Sequence, residues 1–492
     1  MRDLVLAHVF GANALTDAFF VAFKIPNFLR RLFGEGAFAT AFVPILTEFK
    51  SKEDENDLKN FINSVAGTLG LILLMVSILG MIIAPLIISL FAFGWVIDQE
   101  HEKLELASNM LTITFPYLFF ISLTAFAGGI MNAYGRFAIP AFTPIILNIS
   151  LIGCALWLSE QLNEPIFALA WGVLIAGFAQ FFFQFPFLGR LNLIPKPKVD
   201  FKNDGVRKIF KLMVPALFAI SVTQINLLID LILASFLITG SISWLYYSDR
   251  LMEFPLGILG VALATVLLPR LSHENAESNP NNFKKTLDWG IKMALVFGLP
   301  SAIGLAILSG PMISTLFLSE VFTSNDVKMA QLSLIAYSSG LFGFILVKVL
   351  SPAYYAKQDT KTPVKIAIIA MLTNIVLNFI FIVPLQHAGL ALATSLAAYV
   401  NAFLLWLGLR KLNLCEWDKK FIKLIIHICI ASSLMGLLLF FISPDLVIWL
   451  QKDLSEKIFL LIGLIILGIL SYFFILLLLG WRLKNFFYRI DK

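Results

Sequence analysis

Charge is what this sequence has least of. Only 14% of its 492 residues are Asp, Glu, Lys or Arg, while 59% are hydrophobic and the mean hydropathy is +0.88. A soluble globular domain carries about 25% charged residues, so that class is excluded from the start. Cysteine is scarce as well: Cys154, Cys415 and Cys429 show no C-x-x-C or C-x-x-x-H spacing and read as packing residues. His8, His101, His273, His387 and His427 are scattered without H-E-x-x-H or comparable spacing, which argues against a metal enzyme. Long polar stretches are also missing. The longest intervals between apolar runs are about twenty residues, too short for an extramembrane catalytic domain.

What is present is one apolar run after another, each near the ~20 residues that a helix needs to cross a ~30 Å hydrocarbon core. The runs are continuously apolar rather than alternating, so backbone satisfaction in lipid demands helices and not a closed barrel. Breaks at Gly, Pro and charge clusters give a short first segment, Asp3 to Ala12, and a long second one, Asp17 to Leu46, interrupted near Gly34 and Gly36. Twelve further breaks follow the same logic, among them one between Pro384 and Leu390. The expected fold class is an all-α polytopic membrane protein of about fourteen transmembrane helices, the first of them short of a full span.

Basic residues orient such a bundle, because Lys and Arg in short loops resist translocation. Loops after even-numbered segments, with the tail from Arg482, hold 26 of the 37 Lys and Arg. Loops after odd-numbered segments hold four: Lys103, Lys328, Lys452 and Lys457. The even loops and the C-terminus are therefore expected in the cytoplasm. The pI of about 9.0 reflects this bias and calls for no nucleic-acid partner. The acidic run from Glu53 to Asp57 reads as a solvated loop.

The chain also repeats. Ala37-Phe38-Ala39-Thr40 before Pro44 recurs as Ala262-Leu263-Ala264-Thr265 before Pro269, an offset of 225, and the turn before Pro140 recurs before Pro363 at 223. Six helices separate the copies, an even number, so the units are expected to be parallel with a substrate site between them near mid-membrane. The last two helices fall outside the repeat.

Seven basic residues lie inside the apolar segments: Arg2, Lys24, Arg30, Arg31, Arg250, Lys292 and Lys348. An ionised side chain at mid-bilayer costs at least ~2.5 kcal/mol, so these face a partner or a wet cavity. Lys292, near a segment end, snorkels to the surface. Acids accompany them (Asp3, Asp17, Glu35, Asp249 and Glu253), and pairs such as Asp249 with Arg250 or Glu35 with Arg31 could simply pin helices. Pinning explains single pairs better than a concentration, and Arg2, Arg30 and Arg250 come from both halves of the repeat. The guanidinium fork suits bidentate phosphate recognition, so the expected ligand is a phosphate or pyrophosphate anion.

The same residues carry a family resemblance. Arg2-Asp3, Thr16-Asp17-Ala18-Phe19-Phe20, Lys24-Ile25-Pro26-Asn27, Leu29-Arg30-Arg31, Gly34-Glu35-Gly36-Ala37-Phe38, Ser243-Trp244, Tyr247 and the run from Asp249 to Pro255 resemble the MurJ (MviN-like) lipid II flippases of the multidrug/oligosaccharidyl-lipid/polysaccharide exporter superfamily. The resemblance spans essentially the whole chain. It implies two six-helix lobes around a cationic cavity and two extra helices forming a groove for a polyprenyl tail. The corresponding division is an N-lobe over 1–190, a cytoplasmic linker over 191–204, a C-lobe over 205–411 and the extra pair over 412–492. It further implies a monomer of the bacterial inner membrane that flips undecaprenyl-pyrophosphate-linked lipid II and performs no covalent chemistry. Arg2, Asp17, Arg30 and Arg250 match functional positions, with Asn27, Glu35, Ser243 and Glu253 in support.

Members of that family carry an upstream stretch with a further Arg, so the expectation here is a misplaced start codon or a shortened chain. Asp230, Asn374, Asn378 and Thr394 offer hard oxygen donors suited to Na⁺, an ion some members are thought to bind; interhelical hydrogen bonding is the plainer reading. Apart from that ion no cofactor is expected. Two rivals remain. Another exporter of the superfamily, an O-antigen-type flippase or a drug/cation antiporter, would share the fold, but a cation antiporter should line its cavity with carboxylates. A polyprenyl-phosphate glycosyltransferase would need catalytic acids and an extramembrane domain.

Overall fold

A computed structural model describes residues 1–32, 38–52, 54–277, 279–415 and 419–481; the side chains of residues 39, 216, 218–223 and 420 also fall outside the description. Among the described residues every regular element is helical. The chain divides into two compact units, Met1–Ser243 and Trp244–Lys492.

The first unit begins with α1 (Arg2–Phe10), α2 (Ala14–Leu29), α3 (Phe38–Lys52), α4 (Glu55–Ile82), α5 (Ala84–Phe91), α6 (Phe93–Ile97), α7 (His101–Thr114) and α8 (Tyr117–Ala133). It continues with α9 (Ala138–Gly153), α10 (Phe167–Arg190), α11 (Asp204–Ala234) and the start of α12 (Ser241–Pro255). Proline explains several boundaries. Lacking an N–H, it is tolerated in a helix's first turn and breaks the ladder elsewhere. Pro85 sits in the first turn of α5, so the apolar run from Leu58 to Phe93 bends rather than crossing as one rod, and Pro116, at the N-cap of α8, divides that helix from α7. Asn13 starts α2 with a capping box in which it and Thr16 exchange side-chain to backbone bonds. Packing inside this unit is aromatic. Phe42 lies with its ring centroid 5.0 Å from those of both Phe38 and Phe126, and Phe49 stacks on Phe61 at 4.3 Å. These rings tie α3 and α4 to α8 through close van der Waals contact, the force that remains once lipid has removed the hydrophobic gain.

The second unit holds α13 (Ala262–Ala276), α14 (Pro280–Ile307), α15 (Ser309–Phe317), α16 (Ser324–Ala356), α17 (Lys361–Lys411), α18 (Lys419–Ile442), α19 (Leu446–Leu450) and α20 (Leu454–Leu478). Helix α17 is really two. Gln386, two residues beyond Pro384, takes φ 49° and ψ −129°, which reverses the chain. The two arms close tightly because Gly389 has no Cβ: one placed there would lie 2.3 Å from the carbonyl oxygen of Phe381. Polar side chains glue these helices across apolar faces. The Ser395 hydroxyl donates to the Ala336 carbonyl at 2.7 Å, Tyr354 to that of Leu405 at 2.7 Å, and Tyr472 of α20 to that of Val296 at 2.7 Å.

Ten stretches among the described residues are long and apolar enough to cross a membrane. One of them is α17, whose turn at Gln386 makes it serve for two of the segments expected from sequence. The expectation of fourteen is thus not matched by this count, for physical reasons. Helix α1 spans nine residues, and α2 and α3, of 16 and 15 residues, flank residues 33–37. The middle side chains of α11 lie outside the description, which leaves its tail, Gln224–Ala234, as a shorter apolar helix.

Candidate substrate-binding site

The membrane-embedded charges are held by local chemistry that differs from one to the next. Arg2 binds its neighbour Asp3, with Nη2 at 2.6 Å and Nε at 2.9 Å from Oδ1, both side chains largely covered. On α2, Asn27 and Arg30 are three residues apart and so share a helix face. The side-chain oxygen Oδ1 of Asn27 accepts from Arg30 Nε at 3.0 Å and from Nη2 at 2.9 Å. It grips one edge of the guanidinium, and being neutral it orients the group without cancelling its charge. Glu35 lies outside the described residues.

Asp17, one turn into α2, is only 2% exposed. Its Oδ2 accepts from the backbone N–H of Gly240 at 2.6 Å, and its Oδ1 accepts from Ser243 twice, from N at 2.9 Å and from the hydroxyl at 2.6 Å. These are the orphan donors at the start of α12, so Asp17 caps that helix from a different one, with its charge at the positive end of the dipole. Ser243, expected as a ligand residue, is spent on this cap. Nearby in the same unit, Lys103 is 8% exposed and donates to Thr239 Oγ1 at 2.6 Å and Glu100 Oε1 at 3.1 Å. Sequence counted it as a loop lysine, and nothing local in the chain marks Thr239 as its partner.

In the second unit, Arg250 pairs through Nη1 with Glu253 one turn on, and its guanidinium lies 5.0 Å from the ring centroid of Tyr246. Stacking on an aromatic face and a carboxylate on one nitrogen fix the plane of the fork. Trp244 anchors this helix to α16: its indole N–H donates to Asp326 Oδ1 at 2.8 Å, while Asp326 Oδ2 accepts from the backbone and hydroxyl of Thr323 in a capping box. The Ser248 hydroxyl adds bonds of 2.7 Å to the carbonyls of Trp244 and Ala330. The pairing of Trp244 with Asp326 has no signal in sequence, the two being 82 residues apart.

The polar residues of α17 form a relay. Asn378 donates to Asn374 Oδ1 at 2.8 Å, Asn374 donates to Thr394 Oγ1 at 3.1 Å, and Thr394 donates to the Leu390 carbonyl at 3.0 Å. Three of the four oxygen donors expected from sequence are therefore brought together within one unit. Asp230 belongs to the other unit.

Long apolar helices broken at proline, with charges confined to a few of them and oriented by neutral or stacked neighbours, define a polytopic membrane transporter. The same helical fold is seen in an inward-facing multidrug resistance MATE family transporter of the MOP superfamily, with a TM-score of 0.70 over 84% of this chain and 94% of that one, at 14% identity. The profile of the lipid II flippase MurJ family matches residues 6–468, and the chain belongs to that family. It is 48% identical to a probable lipid II flippase MurJ of Vibrio cholerae, covering 99% of this chain and 93% of the relative. Identity to the corresponding protein of Haemophilus influenzae is 46%, covering 98% and 96%. A solved lipid II flippase MurJ in an inward closed conformation matches with a TM-score of 0.82 and 33% identity, over 96% of this chain and 94% of that one.

Proposed function

We propose that this protein moves lipid II from the cytoplasmic to the periplasmic leaflet by alternating access, with no covalent step. Membership of the lipid II flippase family over residues 6–468 is the observation that carries the reading. The arginines add a physical reason. Arg30, gripped by neutral Asn27, and Arg250, stacked on Tyr246, are planar forks held ready for a diphosphate, and Arg2 supplies a third. Asp17 and Ser243 serve the site by fixing α12, and Glu253 serves it by fixing Arg250. A drug/cation antiporter would want carboxylates where these arginines are.

The bias of Lys and Arg supports a cytoplasmic C-terminus and a cytoplasmic linker over 191–204 in an inner-membrane protein. The duplicated landmarks support lobes over 1–190 and 205–411, and the family resemblance adds a lipid-tail role for the last two helices and a monomer as the working form. Asn374, Asn378 and Thr394 of the second unit, and Asp230 of the first, offer the hard oxygen donors that suit Na⁺. Such an ion supplies a bias between states through its difference in affinity.

The test is growth of a flippase-depleted bacterium carrying this gene, with transfer of labelled lipid II to the outer leaflet. Growth and transfer support the reading. A well-inserted protein that yields neither overturns it.

A further inference from the structure

The interval after α10 is an extended strap laid along α4. Lys196 N donates to Asn63 Oδ1 at 2.7 Å, Lys198 N to the Asn63 carbonyl at 3.0 Å, and Asp200 N to Thr68 Oγ1 at 3.0 Å. The strap lies so close that a Cβ on Gly67 would sit 2.3 Å from the backbone of Lys198. Beneath it, α4, α8 and α10 leave a groove of about 250 Å³, lined by Gly70, Leu74, Phe119 and Phe185 and roofed at one end by Pro195 and Pro197. The lining is apolar, and Leu74 is exposed at the side of the bundle. At the roofed end the chemistry changes abruptly. Lys196 and Lys198 are exposed on the strap itself, and residues 190–211 hold seven Lys and Arg against two Asp.

We propose that this groove binds one acyl chain of an anionic phospholipid, with the headgroup phosphate drawn to the lysines of the strap. An apolar slot continuous with a basic rim matches an amphiphile with an anionic head, and basic pockets between helices at the cytoplasmic face attract such headgroups. The assignment rests on the cytoplasmic placement of the strap proposed above. It concerns a phospholipid of the surrounding leaflet and not the transported substrate. A bound chain would fill the gap under the strap and hold α4, α8 and α10 at their present spacing.

The experiment uses the full chain purified in detergent, with phosphatidylglycerol or phosphatidylcholine as the probe and native mass spectrometry counting the lipid retained. The proposal predicts preferential retention of phosphatidylglycerol. Gly70→Phe is the groove-filling variant, because a Cβ at Gly70 meets nothing within 4 Å and the ring enters open space. It should cut retention at least tenfold while circular dichroism stays unchanged. Should it misfold, Leu74→Trp blocks the same slot from its exposed side. Lys196→Gln with Lys198→Gln should instead abolish the preference, leaving both lipids retained alike. Unchanged phosphatidylglycerol retention in the groove-filling variants overturns the proposal. So does its displacement by undecaprenyl phosphate, which would give the slot to the substrate's tail. In intact cells, labelling of Lys198→Cys above the parent background by a membrane-impermeant thiol reagent would overturn the topology, and the headgroup assignment with it. Labelling only after permeabilisation supports both.

Discussion

Asp17 caps a helix that begins more than two hundred residues further along the chain, through its bonds to both the backbone nitrogen and the hydroxyl of Ser243. Asparagine at position 17 keeps one acceptor but turns an amide N–H₂ toward a backbone donor and removes the charge at the helix start. Asp17→Asn should cost about 1–3 kcal/mol. Ser243→Ala, which loses one neutral partner, should cost about 1 kcal/mol. Thermal unfolding of the two purified variants checks the order. Equal melting temperatures for Asp17→Asn and wild type would mean that the cap holds nothing.

Asn27 should matter through Arg30. With Asn27→Ala the guanidinium keeps its charge and loses its orientation, so lipid II binding should weaken by about tenfold or less, the equivalent of one hydrogen bond. Arg30→Lys should be worse, since an ammonium cannot present two parallel donors. Titration of lipid II against each purified variant gives the comparison. An Arg30→Lys protein that binds better than Asn27→Ala would contradict the role of the fork.

Trp244 and Asp326 form one unit with the cap of α16. Trp244→Phe should destabilise by about 1–3 kcal/mol by leaving a carboxylate oxygen short of a donor in a buried place. Asp326→Ala should cost more, because it also empties the capping box. The double variant should fall short of the sum, as expected for groups in contact. Strict additivity in chemical or thermal unfolding would show that the two do not act together.

Sodium offers a separate test. Asn378→Leu and Asp230→Asn should each remove a sodium-dependent rise in melting temperature, measured against choline at equal ionic strength, by the linkage between ion binding and stability. Persistence of that rise in both variants would leave the relay of Asn374, Asn378 and Thr394 as interhelical glue.

Much of the fold was legible because lipid leaves the backbone few choices. Runs of apolar residues had to be helices and the interval after Pro384 had to turn, whereas the breaks at Pro85 and Pro116 fell inside runs that read as single segments. The arginine positions were equally plain, since charge in an apolar run is conspicuous, and Asn27 could be read as a neighbour of Arg30 from its three-residue spacing. What escaped was everything decided by tertiary approach. The cap from Asp17, the indole bond from Trp244 and the burial of Lys103 against Thr239 join residues 82 to 226 positions apart. Periodicity carries no record of such pairs. The strap over Gly67 escaped for the same reason: a stretch of Pro and Lys reads as a loose linker until its backbone is seen bound to Asn63 and Thr68.

The central claim is that Arg30 and Arg250 bind the pyrophosphate of lipid II. Its most direct test is lipid II affinity for Arg30→Ala, Arg250→Ala and Arg31→Ala, each purified from membranes at matched expression and each checked for growth of flippase-depleted cells. Loss of a charge-assisted contact worth about 1.5–3 kcal/mol should weaken binding by about 10- to 100-fold at positions 30 and 250 and abolish growth, with a milder effect at 31. If the Arg30 and Arg250 variants bind lipid II and sustain growth like the wild type, these arginines pin helices and do not hold the substrate.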